Sequence, residues 1–165
     1  MAASKQNSML APGDRAPEVK LDQPGGGSRS LSQILEQGPA LLAFFKVGCP
    51  TCQLTLPYLE RIWQGRREGA PQMFAVSQDD AGATAEFNRS FGLSLPTLLD
   101  SERKNYPASN AFGISHVPSL FLVDRDGAVS WTLDGFNKQE IAALGARAGV
   151  EPFREGEDVP EWKAG

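Results

Sequence analysis

Histidine and cysteine are nearly absent from this chain, which has one of the first and two of the second in 165 residues. A small disulfide-stapled scaffold needs more cysteines, spread along the sequence, so that class is excluded. An excess of one charge is also lacking. Sixteen basic residues stand against 20 acidic ones, a net charge of −4, which leaves no electrostatic footprint for nucleic acid. No stretch approaches the roughly 18 apolar residues that a spanning helix needs. Met1 to Leu10 carries one lysine and no apolar core, so it does not read as a signal peptide. The expectation is a cytoplasmic protein, or a periplasmic one should the sequence be trimmed. No membrane and no nucleic-acid partner is expected.

What is present suffices for one domain. The chain is 41% apolar and 22% charged, enough to build a core without covalent staples. The two cysteines stand three positions apart, in Cys49-Pro50-Thr51-Cys52. The apolar run Ala40 to Phe45 before them reads as a buried strand. Pro50 suits the first turn of a helix, where its missing N–H is not needed. Leu56, Leu59, Ile62 and Trp63 then share one face of a helix reaching about Arg67, and Pro57 inside it should kink it.

The remaining pattern alternates. Pro17 to Asp22 and Arg29 to Leu31 flank a glycine-rich turn, Gln23 to Ser28, as an N-terminal hairpin. Ser32 is placed to cap a short helix ending at Gly38-Pro39. Gln72 to Ser77 reads as a strand, Ala81 to Phe91 as a helix and Thr97 to Leu99 as a short extended piece. Tyr106 to Phe112 reads as a short helix. Ser119 to Val123 and Ala128 to Leu133 flank the tight turn Asp124-Arg125-Asp126-Gly127. A last helix runs from Lys138 to Ala148, with Gly149 closing it. Together these predict a three-layer α/β domain with a mixed central sheet and an N-terminal hairpin extension. Residues 1–13 read as a loose leader, 14–150 as the domain, and 151–165 as an acidic, irregular or partly disordered tail anchored by Phe153 or Trp162.

A cysteine at a helix start gains from the free N–H groups and dipole there, which stabilise a thiolate. Cys49 would attack a disulfide and form a mixed disulfide; Cys52 would resolve it. A metal clip, or two cysteines that merely share the core, stays open at this point.

These residues resemble the thioredoxin fold, specifically the TlpA/ResA-like branch of the redoxins related to the AhpC/TSA group. The likeness spans residues 11–149. It rests on Ala11-Pro12-Gly13-Asp14-Arg15-Ala16-Pro17, on Leu41 to Phe45 before C-P-T-C, on Pro57, on Val117-Pro118 and on Phe121 to Gly127. The resemblance implies a thiol–disulfide oxidoreductase, more readily a reductase, with Cys49 as nucleophile and Cys52 as resolving thiol. It also implies a cis bond at Pro118, with Val117 and Pro118 offering backbone to an extended substrate. No cofactor is implied. The partners are protein or small-molecule disulfides and a thiol electron donor, met by a monomer.

Three residues depart from the family pattern. Gly48 stands where most relatives have tryptophan. Ala43 replaces the buried acid that assists the resolving cysteine in thioredoxin. Lys46 stands where small residues are usual; it either reaches the Cys49 thiolate and favours it, or snorkels to solvent. His116, directly before Val117, either tunes Cys49, lies exposed in its loop, or joins the cysteines as a Cu(I) or Zn ligand. That last arrangement is similar to the Sco copper chaperones, which have three residues between their cysteines and no cis proline. A peroxiredoxin-like peroxidase is the other alternative. Its P-x-x-x-[ST]-x-x-C setting is missing, because Leu42 and Lys46 precede Cys49 at those positions, and Phe45 and Cys49 precede Cys52.

Overall fold

The computed structural model describes residues 8–165. Seven strands make the main sheet: β1 Lys20–Asp22, β2 Ser28–Ser30, β3 Ala40–Phe45, β4 Gln72–Ser77, β5 Thr97–Leu99, β6 Ser119–Val123 and β7 Val129–Asp134. Their spatial order is β2-β1-β5-β4-β3-β6-β7. β3, β4 and β5 run parallel, while β6 and β7 return antiparallel, so the sheet is mixed as expected. The hairpin β1–β2 extends it at one edge.

β3 is buried at every position, as a central strand covered on both faces must be. Its side chains alternate between the faces. Phe44 meets Phe112 and Phe121, with centroids 5.4 and 5.8 Å away. Phe45 points the other way and meets Phe87, at 5.1 Å. Phe87 belongs to helix α3, Ala81–Phe91, and Phe112 follows helix α4, Pro107–Ala111. Helices therefore cover both faces, which gives the three layers. The remaining helices are α1 Leu31–Leu35, α2 Pro50–Gly65 and α5 Lys138–Arg147. Pro57 lies inside α2, where it cannot donate to the helix ladder.

Three expectations change. The cap of α1 is Ser30 rather than Ser32: its hydroxyl accepts from Gln33 N–H while the Gln33 side chain accepts from Ser30 N–H. This reciprocal box favours Ser30, and Ser32 instead binds Glu18. The leader is not loose where it is described: Leu10 N–H donates to Phe112 C=O, and Gly13 N–H to Val129 C=O. Residues 1–7 lie outside the described part. The tail is acidic and mostly irregular, but it is ordered. A second small sheet pairs β8, Phe136–Asn137, with β9, Trp162–Lys163. Phe153 packs on Tyr58 at 4.7 Å, and Arg61 grips Glu157 through two 2.7 Å bonds. Phe153 does anchor the tail, as expected. Trp162 pairs with Asn137 in the small sheet and is itself 64% exposed.

Candidate active site

β3 ends at Phe45, and the chain turns through Lys46, Val47 and Gly48 to enter α2. Cys49 is the N-cap of that helix: the Cys52 N–H donates to Cys49 Sγ at 3.0 Å. The sulfur thus sits where the unpaired amides of the first turn converge. Cys49 is half-buried and Cys52 fully buried, both as free thiols. Burial pushes the Cys52 thiol well above its ordinary range. The hydrogen bond to Cys49 and the negative charge of Asp79 push the same way, against the Lys46 N–H. The two sulfurs are therefore unequal. One is accessible at a helix start, and the other is kept protonated in the core.

Val117-Pro118 is cis, as the resemblance implied. The Cys49 thiol donates to Val117 C=O at 3.4 Å, so the cysteine and the proline loop, 68 positions apart, form one surface. Beside them lies a cavity of about 500 Å³ that touches Lys46, Cys49, Tyr106, Asn110, His116 and Val117.

Lys46 is exposed, and its ammonium sits 5.9 Å from the Tyr106 ring centroid, in the wall of that cavity. Ala43 is buried in the core and offers no acid. Asp79 lies at the turn before α2, where its Oδ2 accepts from Val47 N–H at 2.8 Å, and its charge is the smallest of the influences on the Cys52 thiol. His116 is half-exposed and both ring nitrogens are engaged. Nδ1 faces Ser115 Oγ at 3.0 Å and Nε2 faces Asp134 at 2.5 Å. Among the described residues no three His, Cys, Asp or Glu side chains gather as a metal-ligand set, so the Sco-like alternative is not favoured.

Asp79, Tyr106 and the reach of the tail to Thr51 and Val117 were missed in the sequence. Asp79 had a signal: β4 runs parallel to β3, with Phe45 beside Ser77, so the residues after β4 must arrive at the cysteine end of the sheet. Tyr106 and the tail had none. Tyr106 owes its place to a left-handed backbone (φ 49°) that follows a second left-handed residue, Asn105.

A family model, the AhpC/TSA family, matches residues 12–132. The thiol-disulfide oxidoreductase ResA of Geobacillus thermodenitrificans is 25% identical over 138 residues, covering 82% of this chain and 77% of the relative. Two solved structures share the fold. A thiol:disulfide interchange protein from a Bacteroides species has a TM-score of 0.71 at 20% identity, covering 89% of this chain and 94% of that one. A secreted Mycobacterium tuberculosis disulfide oxidoreductase homologous to E. coli DsbE has 0.64 at 18% identity, covering 78% and 94%. This kinship overturns the cytoplasmic expectation: relatives of this kind lie outside the cytoplasm, and the M. tuberculosis protein is a secreted one.

Proposed function

The chain belongs to the AhpC/TSA family, and from that premise we propose that Cys49 and Cys52 make it a thiol–disulfide oxidoreductase acting, as a monomer, on protein or thiol disulfides. The observation that carries this reading is the capping of α2 by Cys49 Sγ, with Cys52 buried one turn below.

The Cys49 thiolate attacks one sulfur of the substrate disulfide. A mixed disulfide forms and the other substrate sulfur leaves as a thiol. Cys52 must then lose its proton. Asp79 stands in the role that Ala43 leaves empty, and takes that proton toward the second, water-open cavity that it lines together with Lys46 and Asp80. The Cys52 thiolate displaces the second substrate thiol and leaves a Cys49–Cys52 disulfide. Val117 and Pro118 border Cys49 where the substrate disulfide docks. Lys46 and Tyr106 replace the flat wall that Gly48 cannot provide. His116 is held by Ser115 and Asp134, and shapes the rim rather than shuttling a proton.

Pro50-Thr51 contains no histidine, which favours the reducing direction. Equilibration in glutathione buffers, followed by alkylation and mass analysis, tests the reading. A single two-electron transition with Cys49 and Cys52 oxidised together is expected. A midpoint near about −270 mV marks a reductase and one near about −120 mV an oxidant. Two thiols that stay independently alkylatable in every buffer overturn the reading.

A further inference from the structure

Resting on the thiol–disulfide reading above, we infer that residues 161–165 fill the strand-binding side of the site, so that the chain acts on small, carboxylate-bearing disulfides in preference to extended polypeptides. Two sets of contacts carry this inference.

The first is the course of the tail. Glu161 C=O accepts from Lys138 N–H, and β9 pairs with β8. Ala164 C=O accepts from the Thr51 hydroxyl at 2.6 Å, which places the tail over the buried threonine between the two cysteines. Gly165 then lies so close to Val117 that a Cβ on it would fall 2.5 Å from the Val117 carbonyl oxygen. Gly135 is likewise under the Lys163 carbonyl, at 2.8 Å from a built Cβ. The backbone beside Val117 is the surface that would receive an extended chain by strand addition, and the protein's own residues already lie there. The Arg61–Glu157 pair and Phe153 fix the approach of this segment from upstream.

The second is what remains open. Cys49 faces the cavity of about 500 Å³, a size that takes small-molecule ligands. Its one permanently charged side chain is Lys46, no aspartate or glutamate side chain lines it, and Gly165 of the tail closes it beside Val117. A small disulfide carrying carboxylates matches that lining better than one carrying ammonium groups. The chemistry balances within the protein. The Cys49 thiolate forms a bond to one substrate sulfur and the S–S bond breaks. Cys52 then closes the protein disulfide, so that one substrate disulfide and two protein thiols become two substrate thiols and one protein disulfide.

The test uses pre-reduced protein in single turnover with glutathione disulfide, cystamine and insulin. Each rate is divided by that of dithiothreitol on the same disulfide. The full chain should favour glutathione disulfide over cystamine by about tenfold, and Lys46→Gln should remove that preference. Gly165→Val, which drives the tail off Val117, should raise the insulin rate about tenfold, and raise it more than the glutathione disulfide rate. A chain ending at Pro160 should do the same. Equal normalised rates for glutathione disulfide and cystamine, or an insulin rate that neither variant raises, overturns the inference. Failure of the underlying reading looks different: no disulfide of the three would then be consumed through Cys49.

Discussion

Replacing Cys49 separates two duties that one sulfur atom performs. As the N-cap of α2 it accepts the Cys52 N–H at 3.0 Å; as a nucleophile it starts the exchange. Cys49→Ser keeps an acceptor at the cap, and serine is among the best N-cap residues. Cys49→Ala removes it and leaves a first-turn amide unpaired. Loss of a cap costs about 1 kcal/mol, within a range of about 0.5–2. For a chain of this size that difference lowers the melting temperature by about 2–4 °C. Neither variant can form the Cys49–Cys52 disulfide, so redox state does not confound the comparison. Thermal unfolding followed by circular dichroism should therefore rank Cys49→Ala below Cys49→Ser by that margin, while dithiol exchange is abolished in both. Equal melting temperatures would refute the capping role, and exchange surviving in Cys49→Ser would refute the nucleophile.

Glu60, 8% exposed in α2, accepts from the Ser94 and Leu95 N–H groups and from the Ser94 hydroxyl, so Glu60→Ala should cost about 1–3 kcal/mol in chemical denaturation by leaving these donors unpaired. Burial pushes this carboxyl up, but the donors, Ser94 first, outweigh it and hold it below its ordinary 4.5; the stabilisation is present above pH 4.5 and lost as pH falls through the lower folded value, a decline that Glu60→Ala should flatten in a stability–pH series. Gly145 lies in α5 where a Cβ would fall 2.5 Å from the Val150 carbonyl and 2.8 Å from Pro152, so Gly145→Ala should destabilise by about 1–3 kcal/mol as overpacking does, against the gain alanine gives an open helix position. Asp79→Asn should slow resolution of the mixed disulfide about tenfold or more at neutral pH, with attack by Cys49 little changed, as read by quenched mass analysis; equal resolution rates would remove Asp79 from the proton route.

How much of this was legible in the sequence follows from how local each signal is. The strands Gln72–Ser77, Thr97–Leu99 and Ser119–Val123 and the helix Ala81–Phe91 appear at their expected bounds, because hydrophobic period and turn residues fix them within a few positions. The C-P-T-C pair was legible for the same reason. Ser30 against Ser32 was decided by which serine finds a glutamine three residues on. The acidic, irregular character of the tail and its Phe153 anchor were legible, but its order and its partners were not, because they come from contacts between distant residues. Phe153 finds Tyr58, Glu157 finds Arg61, and Ala164 finds Thr51 113 positions away, and none of these leaves a periodic trace. His116 was legible as a histidine directly before Val117-Pro118 with three open roles, but not in its pairing with Asp134, which depends on the register of β7 against β6.

The most direct test of the central claim is mass analysis of the covalent adducts formed with a disulfide substrate by two single variants. Cys52→Ser should accumulate one mixed disulfide, mapped by peptide digestion to Cys49. Cys49→Ser should accumulate none, because its remaining thiol is buried and kept protonated. An adduct on Cys52, or none on Cys49, would contradict the assignment.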